Sequence, residues 1–177
     1  GRIGAAEAFP LLLAALKDPV ADVRRSAAGA IGGLGEKAVE AVPALIPLLK
    51  GTDGGMSFAA SESLRALAPF AAKAIAEGLK DEDVAVRLGV IAALRHGGES
   101  AAPCIANALG DKAPEVRSGA AEALWALGEK AKSAVPALVV ALKDSDAGVR
   151  RKAATALARI APEEKDAIAV LIEALAG

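Results

Sequence analysis

One segment is written five times along this chain, and that recurrence limits the fold more than any other property of the sequence. The clearest copy runs from Asp144 to Ile160. With Arg150 as position zero, an acid stands at −6, Val at −1, small residues at +3 and +4, Leu at +7 and Ile at +10. The copies Asp18–Leu34, Asp81–Leu94 and Asp111–Leu127 are centred on Arg24, Arg87 and Arg117. A degraded copy, Gly51–Leu67, has Ser57 at zero. The zero positions are therefore 24, 57, 87, 117 and 150, with spacings of 33, 30, 30 and 33. A unit this short cannot bury an apolar face alone, whereas stacked copies bury a continuous one. Self-similarity at this period marks stacked helix pairs.

Each repeat reads as two helices. In Glu36–Lys50, Val39, Val42, Leu45, Ile46 and Leu49 fall on one helical face and define a first helix. A short turn follows. The second helix carries its apolar stripe at −1, +3, +7 and +10, as in Val23, Ala27, Ile31 and Leu34, and Gly35 closes it. Asp18, Asp81, Asp111 and Asp144 are expected at or just before the start of second helices, accepting from unpaired N–H groups. Pro114 suits a first turn. Pro10, Pro43, Pro103 and Pro136 recur in the first helices, with Lys73 at the equivalent place in the third, and are expected to bend them.

The reading is a single domain over 1–177, with repeats at about 4–35, 36–68, 69–98, 99–128 and 129–161 and a partial repeat at 162–177. Gly1–Gly4 resembles the tail of a second helix, and Glu163–Ala176 reads as a sixth first helix. These ends suggest a piece of a longer array, or open faces that stack end to end in self-association.

Composition removes several function classes. Hydrophobic residues are 54% and charged residues 24%, so the chain can bury a core. The formal net charge of −1 supplies no general attraction to nucleic acid or to an anionic membrane. No apolar run approaches membrane-spanning length. Cys104 is the single cysteine, which excludes an internal disulfide and a cysteine metal cluster and fits a cytoplasmic protein.

At Val42-Pro43-Ala44-Leu45 and Val135-Pro136-Ala137-Leu138, and again at Val86-Arg87, Val116-Arg117 and Val149-Arg150 with their preceding acids, the chain resembles HEAT repeats. The similarity is nearest to the short bacterial type named after the phycobilisome-lyase HEAT-like, armadillo-type repeat proteins. It covers essentially the whole chain. It implies an all-α, right-handed solenoid with first helices on the convex side and second helices lining a concave groove. It also implies a ladder in which the Asp of one repeat pairs with the Arg of a neighbour, broken where Gly51 and Ser57 replace the pair.

On that analogy the groove presents positions +1, +2, +5 and +9. In the first repeat these are Arg25, Ser26, Gly29 and Gly33. The candidate protein-binding residues are Phe58 and Glu62 in the second repeat, and Leu88, Gly89, Ala92 and His96 in the third. Glu122 follows in the fourth, and Arg151, Lys152, Thr155 and Arg159 in the fifth. Phe58 and Leu88 are the large apolar side chains, and Arg151, Lys152 and Arg159 form a basic edge. Glycines inside helices, Gly29, Gly89 and Gly119, either admit another backbone or let neighbouring helices approach.

The remaining candidates are bland. Trp125, the single Trp, at +8, is expected to pack on the adjacent repeat or to face the groove. His96 and Cys104 lie eight apart without an orienting third group, which reads as a surface His and a buried Cys. The loop Gly51–Met56 is a contact loop or a drifted turn and lacks the Lys-Ser/Thr ending of a phosphate loop. Among enzymes on similar scaffolds, di-iron hydroxylases need repeated His-Glu pairs, and the single His96 is followed by Gly97. DNA glycosylases need a basic, aromatic face. The resulting expectation is a non-enzymatic scaffold, without cofactor or metal, that binds a protein or peptide in its groove. The alternatives are a subunit of a bilin lyase-like or other modifying enzyme, and an architectural segment of a longer array.

Overall fold

The computed structural model describes residues 5–50 and 54–162, and every regular element among them is helical. The expected sixth first helix, Glu163–Ala176, and the segment Gly1–Gly4 lie outside the described residues. Backbone contacts divide the chain into two compact units, 1–97 and 98–177. The division falls where the third repeat read from the sequence meets the fourth.

The first unit contains α1 (Ala5–Ala15), α2 (Ala21–Gly33), α3 (Val42–Leu45), α4 (Gly54–Ala76) and α5 (Val84–Leu94). Helix α2 packs on α4, and α4 on α5. The second unit contains α6 (Ala102–Asn107), α7 (Pro114–Leu127), α8 (Val135–Ala141) and α9 (Ala147–Ile160), with α7 packed on α9. The stripes at −1, +3, +7 and +10 form the cores. Val86, Val90 and Leu94 are buried in α5, Val116, Ala120 and Leu124 in α7, and Val149, Ala153 and Leu157 in α9. Each large apolar side chain buried in this way contributes about 1.5–3 kcal/mol. Val23 departs from the pattern and stays 40% exposed. It lines an open cleft with Leu12 and Ala15, where no earlier helix pair stands against α2 among the described residues.

The acid and the arginine of the recurring segment build the turn between the two helices. Asp18, Asp81, Asp111 and Asp144 each accept, at 2.8 Å, the N–H two residues further on. The zero-position arginine then donates through one guanidinium nitrogen to the carbonyls at −6 and −5 in Arg24, Arg87, Arg117 and Arg150. The turn is closed from both sides by two side chains six residues apart. In the degraded copy Ser57 Oγ donates to the Leu49 carbonyl at 3.2 Å. The aspartates thus stand just before the second helices and accept an otherwise unpaired N–H, as expected, and that N–H belongs to the residue that precedes the helix. The helix caps are two residues later, where Asp83 accepts from Ala85 and Asp146 from Val149.

The first helices also differ from the expectation. In the second, fourth and fifth repeats each is a 3₁₀ segment followed by a short α segment: Gly35–Ala41 with Val42–Leu45, Gly98–Ala101 with Ala102–Asn107, and Gly128–Ala134 with Val135–Ala141. The backbone breaks at Ala38 and Ala131, five residues before Pro43 and Pro136. Pro43, Pro103 and Pro136 sit in the first turn of their α segments, where no intrahelical N–H is needed. They start α segments and do not bend them. Pro10 alone among the four lies inside a helix.

Junctions between repeats depend on position +11. Gly35, Gly98 and Gly128 occupy it with φ of 57°, 68° and 58°, a conformation L side chains adopt at a cost of about 1–2 kcal/mol. Ala68 occupies it in the second repeat. Without a left-handed residue there, the second helix of that repeat and the first helix of the next run together as the 23-residue α4, offset only at Ala71.

Candidate functional site

The sequence-derived candidates are distributed over two faces, one on each unit. In the first unit, Phe58, Glu62 and Arg65 recur at four- and three-residue spacing along one side of α4. Phe58 is 68% exposed although it is apolar. Glu62 accepts from Arg65 Nη2 at 2.6 Å and from Nε at 3.1 Å, and this bond holds its carboxyl below the usual range. His96, just beyond α5, is exposed. Partial burial pushes its imidazole below its ordinary value, the positive charges of Arg95 and Arg65 act in the same direction, and Glu62 opposes them. Leu88 is half-buried and Ala92 exposed on α5.

The helical glycines separate by environment. A methyl group at Gly89 would lie 3.1 Å from Leu49 Cδ1, so this glycine makes room for a neighbouring side chain. At Gly29 nothing lies within 4 Å. Gly32, which the sequence reading passed over, marks the closest approach: its Cβ would fall 2.8 Å from Ser63 Cα. There α4 comes so near α2 that buried Ser63 Oγ donates to the Ala28 carbonyl of the other helix. Ser63 is the signal that was available, since the other copies carry Ala at +6.

In the second unit the candidates are joined by contacts between α7 and α9. Lys152 Nζ donates to Glu122 Oε2 at 2.6 Å. The Arg159 guanidinium lies 4.4 Å from the centre of the Trp125 ring, a distance at which a cation is held by the ring's negative face. Trp125 keeps 41% of its surface exposed, so it packs on the adjacent repeat and faces solvent at once. Arg159 also reaches Gly128 at the C-terminal end of α7, where the helix dipole favours a cation. Thr155 Oγ1 donates to the Arg151 carbonyl at 2.8 Å, and the Arg151 side chain is exposed. Two members of the basic edge are therefore tied to side chains of the preceding second helix. Neither tie follows from the period, since the two zero positions are 33 apart whereas 122 and 152 differ by 30 and 125 and 159 by 34.

In the second unit Arg117 and Asp144 form a rung of the implied Asp–Arg ladder. Arg117 donates from Nε and Nη2 to the two carboxylate oxygens of Asp144, each at 2.7 Å. Both side chains are largely buried, 13% and 11% exposed. The Asp144 carboxyl is held below the usual range, first by this bond and then by the Asp146 N–H, against the opposing cost of burial.

Other features carry no recognisable chemistry. Cys104 is half-buried, with its Sγ 3.9 Å from the Ser100 carbonyl, where a buried thiol was expected. Of the loop Gly51–Met56, residues 54–56 form the first turn of α4. A cleft of about 930 Å³ on the first-helix side of the second unit is lined mainly by apolar residues, among them Leu109, Val139, Val140 and Leu142. Among the described residues no three His, Cys, Asp or Glu side chains are grouped to hold a metal ion. No helix among them is long and apolar enough to cross a membrane.

Helix pairs stacked through a recurrent stripe, with turns closed by an Asp and an Arg, define an all-α repeat protein of the solenoid class. The chain belongs to the HEAT-repeat family, whose model matches residues 1–68, 72–132 and 122–177. No curated protein matches it in sequence. Among solved structures it is similar to the complex of CpcE and CpcF of phycocyanin lyase from Nostoc sp. PCC7120, at 24% identity and a TM-score of 0.56, over 100% of this chain and 72% of that one. A designed armadillo repeat protein in complex with the peptide (KR)4 aligns at 19% identity and a TM-score of 0.52, over 95% and 88% of the two chains. An engineered protein aligns at 24% and 0.52, over 96% and 85%. At these identities the likeness is one of fold.

Proposed function

We propose that the chain is a non-enzymatic, cytoplasmic scaffold that binds a protein or peptide segment along its second helices. The observation that carries this reading is Phe58, a large apolar side chain held 68% exposed on a helix whose opposite face is fully buried. Exposed aromatics on a rigid framework are favoured anchors in protein interfaces. The peptide complex of the designed armadillo protein is a precedent on a similar fold for such use.

The test is a display selection of random peptides against the whole chain, followed by affinity measurements on wild type and Phe58→Glu. Peptides bound by wild type and weakened about tenfold or more by the substitution support the reading. Recovery of no peptide, or of peptides indifferent to every substitution on the second helices, rejects it. Leu88 is half-buried, so it makes a poorer probe than Phe58.

A second reading, membership of a lyase complex, draws on the similarity to the phycocyanin lyase subunits over the full chain. It predicts a shifted visible absorbance when the protein is mixed with a free bilin and a complementary subunit. An unchanged spectrum removes it.

A further inference from the structure

The α7/α9 face of the second unit has a charge and shape that the general scaffold reading leaves unused. Ser118, Glu122 and Trp125 line one side of α7, and Arg151, Thr155 and Arg159 line the adjoining side of α9. The Lys152–Glu122 and Arg159–Trp125 contacts bridge the two stripes into one surface. Three cations, Arg151, Lys152 and Arg159, stand on it with Glu122, and Glu115 lies two turns before Glu122 on the same side of α7. Arg150 is not among them, because it is turned to the carbonyls of Asp144 and Ser145.

The surface is also preorganised. Arg159 is held by the Trp125 ring and the end of α7, so a ligand that meets its outward N–H groups orders little. Trp125 carries the Arg159 guanidinium over its ring and keeps 41% of its surface exposed, which offers an apolar contact. Arg151 and Arg159 are eight residues apart on one helix, which separates their Cα atoms by about 12 Å. An extended peptide covers that distance in about four residues, and residues four apart in a strand point the same way.

We infer that this face binds an acidic peptide segment in extended form. Carboxylates four residues apart meet Arg151 and Arg159, and an apolar side chain between them lies on Trp125. The inference rests on the scaffold reading and names the chemistry of its ligand. A nucleic acid fits less well, since it carries a phosphate at every nucleotide and would set one against Glu122, whereas the peptide keeps its two carboxylates apart at Arg151 and Arg159 and places an uncharged stretch between them.

Trp125 is the single Trp of the chain, so its fluorescence reports on this face alone. The probe is a synthetic peptide, Glu-Ser-Leu-Ser-Glu flanked by Gly-Ser pairs, titrated into the whole protein at low and at moderate salt. Three controls accompany it: the same peptide with Gln for Glu, the same with Lys for Glu, and a single-stranded oligothymidylate. The expected result is a saturable change in Trp125 emission with the acidic peptide. It should weaken on the order of tenfold for the Gln peptide or in Arg151→Glu, weaken with salt, and be largely retained in Arg151→Lys. Arg151 is exposed, so circular dichroism is expected to show both variants folded.

No emission change up to millimolar peptide, equal binding of the Gln or Lys peptide, or tighter binding of the oligonucleotide overturns the inference. An emission change that follows protein concentration alone also overturns it, and assigns the face to a second copy of the chain. If selected peptides lose affinity in Phe58→Glu and keep it in Arg151→Glu, this inference fails while the scaffold reading stands.

Discussion

At the scale of single residues, similar amino acids in this chain have opposite consequences. Gly29 and Gly32 lie one turn apart on α2. A methyl group at Gly29 enters open space, whereas one at Gly32 lies 2.8 Å from the backbone of Ser63. Gly29→Ala is therefore expected to stabilise the protein by about 0.5–1 kcal/mol through helix propensity. Gly32→Ala is expected to destabilise it by roughly 1–3 kcal/mol, because α2 and α4 must separate. Urea denaturation of the two variants checks both signs, and a stabilised Gly32→Ala would show that the helices are not in contact there. Phe58→Glu should change stability by less than about 0.5 kcal/mol, since most of the side chain is already in water. A large loss of melting temperature in that variant would mean that Phe58 serves the core.

At the scale of elements, the turn between the helices of a repeat is the most reproducible construction in the molecule. Its Asp and Arg close it locally, and in the second unit the same two residue types also join neighbouring repeats through Arg117 and Asp144. Arg117→Met leaves a largely buried carboxylate without its counter-charge and should cost roughly 2–3 kcal/mol at neutral pH. The pH dependence has a definite sign. The Asp144 carboxyl is held below its ordinary value in the folded protein. The contribution of the pair is then complete above the unfolded value of about 3.9 and is lost as pH falls through the lower folded value. The gap between wild type and Arg117→Met in denaturation curves should be constant above about pH 5 and shrink below about pH 4. A gap that persists undiminished into strong acid would exclude the carboxylate as its origin.

At the scale of the whole molecule, stability is expected to be uneven, because the helices differ in how many sides are covered. Helix α4 is packed by α2 and by α5, and α7 and α9 pack on each other and on their own first helices. Helix α1 keeps Leu11 exposed and contains Pro10. Amide hydrogen exchange should be slowest in the buried stripes of α4, α5, α7 and α9 and fastest in α1. Uniform protection across all of them would indicate one cooperative unit.

Periodicity by itself determined the helix pairs and the stripes at −1, +3, +7 and +10, Gly35 marked the close of a second helix, and the resemblance to HEAT repeats implied the Arg–Asp rung. Each of these is local or recurs at a fixed interval, and a repeated sequence displays such relations directly. Only the tertiary structure decided where the first helices break, because the placement of Pro43 and Pro136 depends on the 3₁₀ turn before them. It alone showed α4 running through a junction that lacks glycine. It alone brought Arg159 over Trp125 and closed α4 onto Gly32. Those contacts depend on how far apart two helices settle and which rotamer a long side chain takes, and a repeat pattern carries neither distance nor direction.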